Sequence, residues 1–118
     1  MGRTILRAYH HSAKIHTRTW AISDNDALSL MAKPCHYCGA SPSNVAKGRP
    51  DRGSFVYNGI DRVDNTKGYE PSNVVTCCRR CNIGKANGTV GEFHNWVSNV
   101  YHKTVEVQDD APAAHFVG

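Results

Sequence analysis

Two short cysteine turns, Cys35-His36-Tyr37-Cys38 and Cys78-Arg79-Arg80-Cys81, carry the clearest chemistry in this chain. A C-x-x-C turn lets both thiolates face one point. Two such turns supply the four sulfur ligands of a closed, tetrahedral zinc site with no position left open for catalysis. The competing reading is a redox pair. The presence of two pairs, with no thioredoxin-like βαβ pattern around either, weighs against it. Cys77 could stand in for Cys78, but Cys78 holds the C-x-x-C register with Cys81, and Cys77 reads as a small buried residue. His36 reads as a surface residue, since four cysteines already complete the shell. A zinc ion here would pin the N-terminal half to the rest of the domain and contribute its binding energy to folding.

Cations gather near the second pair. Arg79, Arg80 and Lys85 stand on or just before a helix, and Lys47, Arg49 and Arg52 line a loop. Arg3, Arg7, Lys14 and Arg18 mark the N-terminal segment. Singly, each is an ordinary surface charge. Together, spaced over one domain, they could form a track for phosphates, which gives affinity with little base information. Arg79, Arg80, Lys85, Arg49 and Arg52 are the candidate DNA contacts. No helix-turn-helix or repeat array is present to read bases.

These residues must be positioned by local elements. The spacing of Ile5, Leu6, Tyr9 and Ala13 predicts a basic amphipathic helix over 2–17. Trp20 to Ile22 reads as a short extended piece. Ser23 is the N-cap of a second helix, with Asp26 in the capping-box position and Ala27, Leu28, Leu30 and Met31 as its buried stripe. Pro34 ends that helix. Residues 41–53 read as a loop, 55–62 as a strand, 65–72 as a turn and 73–77 as a second strand. A helix over 79–87 stops at Gly88. Thr89 and Glu92 open a last helix, whose Phe93, Trp96, Val97, Val100 and Tyr101 have the spacing of a core face. From Thr104 the chain reads as a flexible tail. The expected division is a basic helical segment over 1–33, a zinc-stapled domain over 34–103 and a tail over 104–118.

At 118 residues the chain fits one domain, whose core is marginal without a staple. The formal net charge of +4 permits nucleic-acid binding without requiring it. No run of about 18 apolar residues is present to span a membrane, and the N-terminus lacks the apolar region of a signal peptide. The expected location is the cytoplasm, where cysteines are better read as metal ligands than as disulfide partners.

Three stretches together resemble a zinc-ribbon HNH endonuclease. They are Cys-His-Tyr-Cys-Gly at 35–39, Asn-Gly-Ile-Asp-Arg-Val-Asp-Asn-Thr-Lys-Gly-Tyr-Glu-Pro-Ser-Asn-Val-Val at 58–75, and Cys-Cys-Arg-Arg-Cys-Asn-Ile-Gly-Lys at 77–85. The resemblance covers roughly Pro34 to Trp96. It implies an α+β fold, a ββα-metal hairpin and helix stapled by four cysteines with helices on either side. It also implies a metal-dependent endonuclease acting on DNA phosphodiesters. Asp61 and Asn82 would hold one Mg²⁺ or Mn²⁺, and Asn73 would brace the loop between the strands. An Asp–Asn oxygen set suits such a hard cation, which would neutralise the scissile phosphate. Small proteins of this kind are common in bacteriophages, so the host cytoplasm is the expected location if the chain is phage-encoded. The candidate partners besides DNA are a second copy of the chain and a phage protein.

The departure from the family pattern is Arg62, which stands where the general-base His normally follows the Asp. A guanidinium stays protonated and takes no proton from water. Three readings stay open. Arg62 could clamp the scissile phosphate while metal-bound hydroxide or another residue supplies the nucleophile. Asp64, His36 or His94 could act as base. Or the domain could bind DNA, or a partner protein, without cutting.

Overall fold

The computed structural model describes residues 2–47 and 53–110, with side chains to 106. Helix α1 (Gly2–Ile15) and helix α2 (Asp24–Met31) come first. Ser23 caps α2 by accepting from the Asp26 amide at 3.1 Å. Leu6 and Ala13 of α1 and Ala27 and Met31 of α2 are buried with Ile22, Ile60 and Tyr69 in the larger of two apolar clusters. Trp20 reaches Tyr69 through a single parallel bridge, which ties the N-terminal half to the loop beyond Asp61.

Two antiparallel hairpins follow. Strands β1 (Asn44–Lys47) and β2 (Ser54–Tyr57) pair with Val45 opposite Val56. Strands β3 (Gly59–Arg62) and β4 (Val74–Cys77) pair with Asp61 opposite Val75. The loop expected over 41–53 therefore contains a strand. At four residues, with only Val45 as a β-branched signal, β1 is too short to announce itself by alternation. Arg49 and Arg52 lie outside the described residues.

The single strand expected over 55–62 is two strands broken at Asn58. Asn58 is fully buried, and its backbone N–H donates to the Met31 carbonyl at 2.9 Å. Its Nδ2 donates to the carbonyls of Lys33 and Ala40 at 2.9 and 3.1 Å. One residue thus satisfies carbonyls at the end of α2, which would otherwise be orphaned in the interior. The chain must leave the β2 ladder to do so.

Helix α3 (Arg79–Lys85) follows β4 directly and completes the ββα unit. It stops two residues earlier than expected. The residue with positive φ is Ala86 (φ 48°, ψ −128°) rather than Gly88. A Cβ strains the backbone there, so Ala86→Gly is expected to raise unfolding stability by about 1 kcal/mol, read by urea denaturation. No gain would show that the strain is relieved locally.

Helix α4 (Val90–Asp110) opens on a reciprocal cap. The Thr89 amide donates to Glu92 at 3.1 Å, and the Glu92 amide donates to the Thr89 hydroxyl at 3.0 Å. The helix runs past 103, so residues 104–110 are helical, not a tail. The expected core face of α4 is also corrected. Phe93 is buried, but Trp96 and Tyr101 are 55% and 63% exposed, and Val97 and Val100 are exposed too. The face meets α3 only near its start, where a Cβ on Gly84 would lie 3.2 Å from Phe93 and 3.3 Å from Trp96. Helical spacing shows that a face is apolar, not that another element covers it.

Candidate functional site

The cysteine cluster is built by the start of α3 and by the turn after α2. Cys78 is the N-cap of α3, and its Sγ accepts from the Cys81 amide at 3.4 Å. The other turn is anchored by backbone bonds from the Cys35 amide to the Ala40 carbonyl and from the His36 amide to the Thr76 carbonyl, both 2.8 Å. The sulfurs of Cys35, Cys38, Cys78 and Cys81 all lie within 4.8 Å of one another. No disulfide joins them.

Burial raises the Cys35 thiol, but hydrogen bonds from Cys78, Cys38 and Tyr37 outweigh it and bring its pKa down to about 6. Burial and the neighbouring sulfurs push the Cys81 thiol up. Four sulfurs packed this closely cannot all ionise without a central cation, and a tetrahedral thiolate set is what zinc prefers. The cluster fits a zinc ion. Cys77 stays outside it, buried against its own strand.

Asp61 lies on β3 and is buried. Its Oδ2 accepts from the Tyr37 hydroxyl at 3.0 Å and sits 3.2 Å from Lys85 Nζ. Lys85 also donates to the Arg62 carbonyl at 3.1 Å, and its side chain is 0% exposed. This corrects the expectation that Lys85 contacts DNA. With Cys81 it is one of the two buried residues of α3, and its charge is spent on Asp61. Sequence reasoning missed both partners of Asp61. Tyr37 sits inside a cysteine turn, and Lys85 looks like one more surface cation. Burial first, then the adjacent Asp61 carboxylate, push the Tyr37 hydroxyl above the ordinary tyrosine range, so it donates to Asp61 and does not act as a base.

Arg62 is buried as well. Its Nη1 donates to the carbonyls of Asn65 and Lys67, both at 2.8 Å, and its guanidinium lies 5.6 Å from the centre of the Tyr69 ring. In this geometry it braces the loop after β3. Asn73 stitches the same loop. Its Oδ1 accepts from the Asp64 amide at 2.8 Å, and its Nδ2 donates to the carbonyls of Asp64 and Gly68 at 3.0 and 2.9 Å.

None of the alternative bases touches Asp61. Asp64 turns to the Thr66 hydroxyl and amide, whose hydrogen bonds hold its carboxyl below the usual range. His36 packs on the Tyr37 ring and His94 on Phe93. Among the described residues neither forms a hydrogen bond or ion pair with Asp61 or Asn82.

Asn82 is exposed on α3 and lines a small cavity of about 100 Å³ with Tyr9, Asn44, Gly59 and Arg79. The Tyr9 hydroxyl accepts from the Ile60 amide at 3.0 Å on the free edge of β3, and burial pushes its pKa up to about 12. Beside this cavity a cleft of about 1020 Å³ runs between the β1–β2 hairpin and α3, with Arg79 and Arg80 exposed along it. Asp61 on β3 and Asn82 on α3 belong to one ββα unit, and Arg79 and Arg80 line the cleft beside α3.

No helix of the described residues is long and apolar enough to cross a membrane. No family model matches the chain. Over 64 residues, 54% of this chain, it is 36% identical to an uncharacterized protein, R423, of Acanthamoeba polyphaga mimivirus. The match spans about a tenth (10%) of that relative's length. In three dimensions the chain is similar to the rare-cutting HNH restriction endonuclease PacI, with a TM-score of 0.60 and 22% identity. That likeness covers 87% of this chain and 80% of the other. The mixed α+β architecture expected from the sequence is thus the observed one: the chain has the fold of an HNH endonuclease, with a four-cysteine cluster fitted to a metal ion.

Proposed function

We propose that this protein is a metal-dependent DNA endonuclease that hydrolyses phosphodiester bonds. The observation that carries the reading is Asp61 on the strand and Asn82 on the helix of one ββα unit, in a chain whose fold is shared with an HNH endonuclease. A carboxylate and an amide oxygen are the donors a hard divalent cation takes, and Oδ1 of Asp61 has no hydrogen-bond partner among the described residues. Mg²⁺ or Mn²⁺ held by Asp61 and Asn82 would neutralise the scissile phosphate and stabilise the leaving oxygen.

The remaining roles belong to the chain itself. Tyr37 and Lys85 fix the Asp61 side chain through Oδ2. Asn73 and Arg62 hold the loop between β3 and β4 in one shape, so the strand end that carries Asp61 keeps its place. Arg79 and Arg80 line the cleft along which a phosphate backbone would run. Zinc in the cysteine cluster would lock the start of α3, one residue from Asn82.

A second reading, a domain that binds DNA or a protein without cutting, is favoured by the Lys85–Asp61 ion pair and by the Arg62 side chain being turned into its loop. A supercoiled-plasmid assay decides between them. Nicking by the zinc-loaded protein is expected with Mg²⁺ or Mn²⁺, falling at least about 100-fold in Asp61→Ala. Binding of the plasmid with no cleavage under any divalent ion would select the second reading.

A further inference from the structure

Lys85 is the one described cation whose charge is fully buried against the proposed metal site. Its ammonium is held between Asp61 Oδ2 at 3.2 Å and the Arg62 carbonyl at 3.1 Å. It is therefore a fixed charge, not a side chain that swings away freely. Three other acidic groups lie near the ββα unit, and none joins Asp61. Asp64 is bound to Thr66 and Glu92 caps α4. Glu70 forms no ion pair among the described residues. Asn82 adds an oxygen but no charge. The ligand set that faces a cation thus carries one negative charge, already balanced by one positive charge.

Oxygen sites gain affinity for divalent ions with the number of charged ligands they supply. A site with no net negative charge lacks most of that attraction, and repulsion from a fixed ammonium opposes entry of a second cation. A DNA phosphodiester brings the missing negative charge.

We propose that Lys85 makes divalent-cation binding depend on DNA: the free protein holds the ion weakly, and the phosphate backbone and the ion bind together. This rests on the nuclease reading of Asp61 and Asn82. Lys85 acts here as a positioning and charge-setting residue, not a catalytic one. By linkage, the ion must tighten DNA binding by the same factor that DNA tightens ion binding.

The test is Mn²⁺ binding to the zinc-loaded protein, followed by electron paramagnetic resonance. Titrations are run with and without a saturating duplex, and Asp61→Asn supplies the background from DNA-bound ions. The wild type alone is expected to bind Mn²⁺ with a Kd of about 1 mM or weaker, tightening at least about tenfold with duplex. Lys85→Met, which keeps the volume and removes the charge, is expected to tighten Mn²⁺ binding at least about tenfold without DNA and to shrink the effect of the duplex.

Micromolar Mn²⁺ binding by the free wild type, unchanged by duplex, overturns the proposal and leaves the nuclease reading standing. No Mn²⁺ binding above the Asp61→Asn background, with or without duplex, overturns both. If either variant does not fold, the wild-type titrations decide, with the duplex alone supplying the background from DNA-bound ions.

Discussion

Stripping zinc is expected to unfold the ββα unit, not merely to loosen it. The reason lies in what surrounds the cysteines. The smaller buried cluster consists of Cys35, Cys77, Cys78, Cys81 and Phe93, with Tyr37 packed against it. It contains no aliphatic side chain. Three of its five buried members are proposed zinc ligands, so a bound zinc ion would take the place that Leu, Ile and Val occupy in an ordinary core. Structural zinc supplies an apparent binding energy of about 10–16 kcal/mol in small domains. Small domains have total stabilities of about 5–15 kcal/mol, so loss of the ion exceeds what the remaining contacts can hold. Treatment with a chelator, or Cys78→Ser, is expected to abolish the cooperative unfolding transition and the dispersed amide resonances of β3, β4 and α3. Cys77→Ala is the control. It removes an equally buried sulfur that no cluster geometry requires, and is expected to cost about 1 kcal/mol while one zinc per chain is retained. Equal behaviour of Cys77→Ala and Cys78→Ser would refute the assignment of the ligands.

The parts of this molecule that sequence made legible are those with a local rule. The Ser23 and Thr89 caps follow from residue types three positions apart. The C-x-x-C turns follow from spacing, and the break after α2 from Pro34. The parts it hid are those decided by what a side chain meets across the fold. Asn58 looks like a polar residue inside a strand, yet it closes the end of α2 from 25 residues away. Arg62 occupies the position of a catalytic histidine by resemblance, yet its guanidinium holds two carbonyls of the next loop. The α4 stripe has the right period for burial and little to bury it. Lys85 is the plainest case. On a basic chain one more lysine near a helix end reads as a phosphate contact, and nothing local marks it as the partner of Asp61, 24 positions earlier.

That partnership has a large energetic consequence. Lys85→Met is expected to lower unfolding stability by about 3–5 kcal/mol, because it leaves the buried Asp61 carboxylate without its counter-charge. Asp61→Asn alone is expected to cost a similar amount for the mirrored reason. The pair should be strongly non-additive. In Lys85→Met/Asp61→Asn neither buried charge remains, Tyr37 still finds an amide oxygen, and the loss should be smaller than either single change predicts in sum by at least about 2 kcal/mol. Urea denaturation of the four zinc-loaded proteins gives the coupling directly. Additive losses, or a Lys85→Met penalty under about 1 kcal/mol, would mean that the ammonium reaches water and that Asp61 is free to take another cation. Strong coupling would mean that the same contact which steadies the ββα unit also sets the charge that an incoming metal ion and phosphate must meet. Stability and ion binding would then trade against each other through one side chain. Raising Mn²⁺ affinity by removing Lys85 would weaken the fold that holds Asp61, so a nuclease on this scaffold is better served by letting DNA supply the charge.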